Sequence, residues 1–364
     1  MPGGSGKPAG LADSATWVLV GMAALVVLIA GLKAAADLVV PFLLAVFLTI
    51  ITAPPMRWLE RHGVPKFLAL LLVLSIVVGV ALLLGGIIAV SMDAFTENLP
   101  AYQARLRQLL DEVLLWMHRF GANAPQLDQV LQEAINPGAA MQLAARSFEG
   151  LRHTLTNSFL ILLTVVFMLL EAGTLPVKLR AISRHPERTL PLLHAIGSNI
   201  NHYLGIKTAT SLLTGLSAAG WVALVGVDFP VLWGMVAFLL NYIPTIGSII
   251  AAIPPILLGL VQYGPSAALW VALGYLVINN LIGSFLEPRV MGRGLGLSPL
   301  VVFVSMVFWG WVLGPVGMFL SVPLTNAASI ALAAHEETRW ISVLLGPASE
   351  ADPPAGPDPG ASRT

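Results

Sequence analysis

The chain has 364 residues, carries 19 Lys and Arg against 19 Asp and Glu, and is 57% hydrophobic and only 10% charged. A soluble domain devotes about a quarter of its residues to charge, so an ordinary water-borne globule is excluded, and the balanced charge gives no support to nucleic-acid binding. With no cysteine there is neither disulfide nor thiol chemistry, and long uncharged apolar stretches point to the bilayer as solvent: an all-α polytopic membrane protein.

Residues 1–12 and 346–364, rich in Pro, Gly, Ser and Ala, read as disordered tails. Residues 13–92 hold three spans, near 16–33, 37–54 and 66–91. Lys7 ahead of an apolar run resembles a secretion signal. The run from Trp17 to Leu32 is long for one, and a second apolar segment follows at once, so the first span reads as uncleaved. Arg57, Arg61 and Lys66 place the loop after the second span in the cytoplasm by the positive-inside rule. Residues 153–206 hold the fourth span and a cytoplasmic basic segment: Lys178, Arg180, Arg184, Arg188 and Lys207 do the same for the stretch before the fifth span. Both agree if the N- and C-termini are cytoplasmic.

Residues 93–152 then form an extramembrane helical insert. Tyr102, Leu106, Leu109, Val113, Trp116 and Phe120 are spaced as a heptad seam on one helix face. The plain reading packs that face on a helix beginning near Gln126, through Leu127, Val130, Leu131, Ala134 and Ile135; the other is a seam between subunits, in keeping with a homo-oligomer.

Residues 207–335 read as a transport core. After a span at 207–227, two apolar segments of 34 residues each, 229–262 and 299–332, are interrupted by "YIPTIG" and "LGPVG". A continuous helix of that length would be about 51 Å long, well beyond the roughly 30 Å of hydrocarbon, and proline breaks it. Each segment either crosses once as a long broken helix or folds back as a re-entrant hairpin. About eight hydrophobic segments result, two of them Pro/Gly-broken. Paired interruptions of this kind are the best sequence pointer to a transporter's solute site. From Phe229 to Ala334 the only charges are Glu287, Arg289 and Arg293. Hairpins entered from opposite faces leave both arginines cytoplasmic, so that arrangement is preferred. Trp309 and Trp311, just before the second break, argue against it, because Trp favours interfaces.

"LLNYIPTIGSIIAAIPPILLGL", "NNLIGSFLEPRVMGRGLGLSPLVVF" and "LGPVGMFLSVPL" together resemble the autoinducer-2 exporter family of permeases, in order and spacing, and the likeness extends over most of the chain. The resemblance implies a bacterial inner-membrane transporter with about eight spans, linked to autoinducer-2 export and, for some members, to sodium(lithium)/proton antiport. Ser298 stands where a His commonly precedes the proline in that family, which puts a role for that position in doubt.

The residues themselves support a solute path. Pro244 removes a backbone donor and Gly247 permits close backbone approach, while Asn241, Thr245 and Ser248 add uncharged hydrogen-bonding groups; Pro315 and Gly317 are their counterparts in the second break. Asn279 and Asn280 are costly in lipid and either bond neighbouring helices or face the path, to which Asn280 is assigned. Glu287, Pro288, Arg289, Gly292 and Arg293 are read as a gate or hinge whose charges are close enough to pair with one another. The competing reading is a solvated cytoplasmic turn. Glu171 and Asp228 sit at span ends, shallow for an ion carrier. Gly205-Ile206-Lys207-Thr208 lacks P-loop spacing, the histidines lack metal-ligand spacing, and no nucleophile–base arrangement is visible, so neither an enzyme nor a cofactor or metal protein is indicated. The expected partners are a small polar solute and membrane lipid. Sodium/proton antiport, and a non-transporting scaffold acting through 93–152, are the alternatives.

Overall fold

The computed structural model describes residues 11–119, 158–172, 174–182, 186–291 and 296–347. Among these, every regular element is helical. In chain order they are α1 (Leu11–Ala34), α2 (Ala36–Arg61), α3 (Lys66–Arg119), α4 (Ser158–Glu171), α5 (Leu175–Ile182), α6 (Pro186–Val225), α7 (Pro230–Leu240), α8 (Ile246–Tyr263) and α9 (Pro265–Ile278). A π-helix (Asn279–Leu286), α10 (Glu287–Met291), α11 (Pro299–Ala333) and α12 (Arg339–Leu345) complete them. Among the described residues, six helices are long and apolar enough to cross a bilayer, and Leu19–Ala34, Phe159–Glu171 and Pro230–Leu240 are shorter apolar helices beside them.

Local chemistry sets the boundaries. Gly226 at φ 89° ends α6, Phe229 at φ 60° turns the chain, and Pro230 starts α7 where its missing N–H costs nothing. Gly264 at φ 87° and Pro265 repeat the device between α8 and α9. Ser298 caps α11: its hydroxyl accepts from the Val301 amide 3.3 Å away, with Pro299 in the first helical position.

Two helices extend well beyond the spans read from the sequence. The third span and the first helix of the insert are one helix, α3, running 54 residues through Pro100. The fifth span is likewise the C-terminal part of a 40-residue helix, α6, that starts at Pro186, while Lys178 and Arg180 lie on the separate α5. Prolines early in a helix, or with neighbours that re-satisfy the freed carbonyl, bend it rather than end it. The partner stripe from Leu127 to Ile135, the last seam residue Phe120 and the two tails up to Gly10 and beyond Pro347 lie outside the described residues.

Three buried clusters hold the bundle. One joins α3, α6, α7, α8 and α9 through Phe95, Tyr102, Val222, Leu232, Trp233 and Leu258. A second joins α2, α3 and α4 through Ala45, Leu70, Val73 and Val165. A third joins α2, α6 and α11 through Phe47, Tyr203, Leu204 and Leu320. In lipid, helix pairs gain most from close backbone approach. At the α6–α7 crossing a Cβ on Gly234 would lie 2.6 Å from both Ala219 Cβ and the Gly215 carbonyl oxygen. Between α6 and α9 the Trp221 indole fills the space where a side chain on Gly274 would stand, and its Nε1 donates to the Trp270 carbonyl at 2.8 Å.

Gly274→Ala therefore evicts the indole from its hydrogen bond and should cost about 1–3 kcal/mol. A lower thermal midpoint in detergent with altered tryptophan fluorescence is the expected outcome. Gly220→Ala, where nothing lies within 4 Å, should leave both unchanged.

Candidate functional site: two helix breaks on a polar stripe

Both interrupted segments turn back on themselves. Asp228 and Gln262 flank the first, 34 residues apart, yet the Asp228 amide donates to Gln262 Oε1 at 3.1 Å and Gln262 Nε2 donates to the Asp228 carboxylate. In the second, Trp309 Nε1 donates to Thr325 Oγ1 at 3.0 Å. Sixteen residues of unbroken helix would hold those groups about 24 Å apart. α11 folds at Gly314, whose φ of 68° and ψ of −154° lie outside any helix.

The first break is a short, strained turn. The Ile246 amide reaches the Pro244 carbonyl at 2.6 Å across Thr245, whose φ of 61° and ψ of −55° are those of the rare γ-turn with positive φ. Gly247 lies against the end of α7, where a Cβ would overlap the Leu240 carbonyl oxygen. Gly317 has the same relation to the Trp309 carbonyl in the second break. Both glycines are there because backbone occupies the place of a side chain.

The breaks meet. Tyr242, inside the first, stacks on Phe319 of α11 with ring centroids 4.5 Å apart. Behind them runs a polar stripe on α6 that the sequence reading missed: Lys207, Thr210, Ser211 and Thr214, all buried. Asn241 Nδ2 donates to Ser211 Oγ at 3.0 Å, and the Tyr242 hydroxyl donates to Thr208 Oγ1 at 2.7 Å. One turn along the stripe, Lys207 Nζ donates to Glu287 Oε1 at 2.7 Å, and Thr210 Oγ1 approaches Glu287 Oε2 at 3.4 Å. The signal was present in "KTATSLLT": polar residues at i, i+3, i+4 and i+7 at the head of a span share one face.

Not every expected residue joins this cluster. Asn241, Gly247 and Gly317 are buried in it or beside it; Pro244 is partly buried; Thr245 and Pro315 are exposed; Ser248 donates to the Thr245 carbonyl. Asn280 stands apart: it is exposed and donates to the Leu276 carbonyl one turn back along the same stretch of helix. The expected pairing of Glu287 with Arg289 is corrected; Arg293, its other expected partner, lies outside the described residues. Glu287 reaches Lys207, 80 residues away, while exposed Arg289 lies over the Phe285 ring, 3.5 Å from its centroid. Lys207 itself is therefore not a loop charge but a buried one, with 7% of its side chain exposed. Pro288 is exposed; Gly292 and Arg293 lie outside the described residues.

At the open end of the first hairpin a second polar group gathers. Tyr102 of α3 donates to the Asp228 carboxylate at 3.0 Å, and Gln262 Nε2 lies 3.4 Å from the Tyr102 hydroxyl. The first residue of the heptad seam thus docks on the core, with Phe95 edge-on to both Phe229 and Trp233.

Because the backbone of Leu240 fills the space beside Gly247, even Gly247→Ala should distort the break. We expect a loss of about 3 kcal/mol, read as a lower unfolding midpoint of the purified protein, with Gly317→Ala behaving alike.

A family model for the AI-2E family transporter matches residues 22–337. The AI-2 transport protein TqsA of Escherichia coli K12 is 43% identical over 328 residues, covering 90% of this chain and 94% of that protein. A protein of Haemophilus influenzae is 39% identical over 339 residues, and YhhT of Escherichia coli K12 is 37% identical over 333 residues, covering 90% and 91% of this chain and 95% and 94% of their own lengths. A match over nearly the whole length, with both broken segments inside it, means that this chain belongs to the AI-2E family of transporters.

Proposed function

We propose that this transporter exports a small polar solute of the autoinducer-2 type across the bacterial inner membrane, along a path between its two breaks. The single observation behind the path is the meeting of those breaks, Tyr242 on Phe319, against the buried polar stripe of α6. The solute class rests on the similarity to the AI-2 transport protein TqsA. Freed backbone groups and the side chains of Asn241, Ser211 and Thr208 offer hydrogen bonds without net charge, which suits a neutral, hydroxyl-rich solute.

In this reading the two folded segments are re-entrant hairpins. The first is entered from outside, where Asp228, Gln262 and Tyr102 bind its ends together; the second is entered from the cytoplasm, with both termini on that side. The positive-inside rule supports this orientation through Arg57, Arg61, Lys178 and Arg180. The homo-oligomer expected from the seam stays part of the reading, carried by the seam positions beyond Tyr102.

Two experiments test it. External autoinducer-2 activity should fall in null cells and return on complementation. Tyr242→Ala should lower export at least tenfold, and Tyr242→Phe, which keeps the stack and loses only the Thr208 bond, less than about threefold. Unchanged export from the null would reject the solute, and cation-dependent dequenching of a pH dye in inverted vesicles would replace it with antiport. For topology, Ser266→Cys should react with an impermeant maleimide in intact cells and Gly292→Cys only after lysis; the opposite pattern would establish single crossings.

A further inference from the structure

The helix that begins at Pro265 does not keep one geometry to its end. Asn279–Leu286 is a π-helix of eight residues, flanked by α9 and α10. A π segment is rare, is usually a single turn inside an α-helix, and is frequent at functional sites. Nothing local demands it: the stretch has no proline, and a Cβ on Gly283 would meet nothing within 4 Å. Its consequence lies immediately downstream. α10 carries exposed Pro288, Arg289 and Val290, and reaches the rest of the molecule through Glu287 and the partly buried Met291. Glu287, the first residue after the π segment, pairs with Lys207 at 2.7 Å.

We propose that Lys207 is a solute-binding residue held in reserve by Glu287, and that the π-helix is the register element that exchanges the two partners; this rests on the solute path described above. Returning Asn279–Leu286 to α geometry, with α9 fixed in the core, advances the downstream helix by about one residue, roughly 100° of rotation. Leu286 then stands where Glu287 stood, and it has no acceptor to offer. A buried ammonium cannot be left alone, so the move requires a new acceptor. Ser211 lies one turn from Lys207 on the same face of α6 and already contacts Asn241 of the first break. A solute seated at that break brings hydroxyl, carbonyl or anionic oxygens within reach of Lys207. Its arrival and the departure of Glu287 are then one event, and the class of solute is one rich in hydrogen-bond acceptors.

The absence of cysteine makes a spin-label test direct. Labels at Leu216→Cys on α6 and Val290→Cys on α10, both exposed, should give one distance in the full-length protein in nanodiscs. Glu287→Gln should add a second population displaced by roughly 5 Å, the shift of a side chain turned about 100° on a helix. Deleting Gly283 in the Glu287→Gln protein should abolish that population, because no extra residue remains to give up. The double exchange Lys207→Glu with Glu287→Lys restores the pair, and with it the single distance and the melting midpoint, if Glu287→Gln proves poorly folded. It should still export at least tenfold less than wild type, because the ammonium is then on the wrong helix. A single unchanged distance in Glu287→Gln, a second population that survives the deletion, or wild-type export by the exchanged pair would each overturn the proposal. Failure of the wild type to export autoinducer-2 activity would instead remove the solute assignment, leaving the distance measurements to decide the register exchange.

Discussion

A helix that stops inside a bilayer leaves up to four carbonyls or four amides without partners, and lipid cannot supply them. Every feature of this molecule's core answers that constraint. The two interrupted segments meet where Tyr242 stacks on Phe319, with the polar stripe of α6 behind them, while Thr245 and Pro315 stay exposed. The turn at Pro244–Ile246 closes one carbonyl on the nearest possible amide, at the cost of a positive φ on Thr245. Gly247 and Gly317 let the returning backbone lie directly on a carbonyl of the preceding limb, that of Leu240 at the end of α7 and that of Trp309 before the kink at Gly314. Ser211 and Thr208 supply side-chain partners for Asn241 and Tyr242.

α6 is the element that makes this possible. Its 40 residues pass both folded segments, showing Gly215 and Ala219 to α7 and a polar stripe one turn further toward its N-terminus. Small residues allow the backbones to touch where contact is apolar; hydroxyls and one ammonium take over where the neighbouring helix has broken. The same helix therefore provides close packing at one level and buried hydrogen-bonding groups at the next.

α3 carries the same logic outward. A 54-residue helix is about 81 Å long, far more than the membrane's thickness, so its C-terminal part continues past the bilayer without a joint. Tyr102 and Phe95 fasten it to the mouth of the first hairpin, through the Asp228 carboxylate and the aromatic rings of Phe229 and Trp233.

Composition alone decided that the chain lives in lipid and is helical, since no other secondary structure built from a few long apolar runs satisfies its own backbone there. The positions of the breaks were also legible, because Pro and Gly act on their immediate neighbours: Pro244, Gly247, Pro315 and Gly317 are where the geometry changes. The gaps between spans were less so. Pro100 and Pro191 sit inside continuous helices, and α3 and α6 run without interruption past 92 and 206. Tertiary structure alone decided the partners. Lys207 looked like a cytoplasmic loop charge and Glu287 like a neighbour of Arg289, since a sequence displays proximity only along the chain. Their pairing across 80 residues depends on where α6 lies against the end of α9; Glu287 itself follows a π segment that no residue in "NNLIGSFL" announces. Asn280, costly in lipid by composition, donates to the carbonyl four residues behind it. Local chemistry says which groups need a partner; only the packed fold says which partner is close enough to answer.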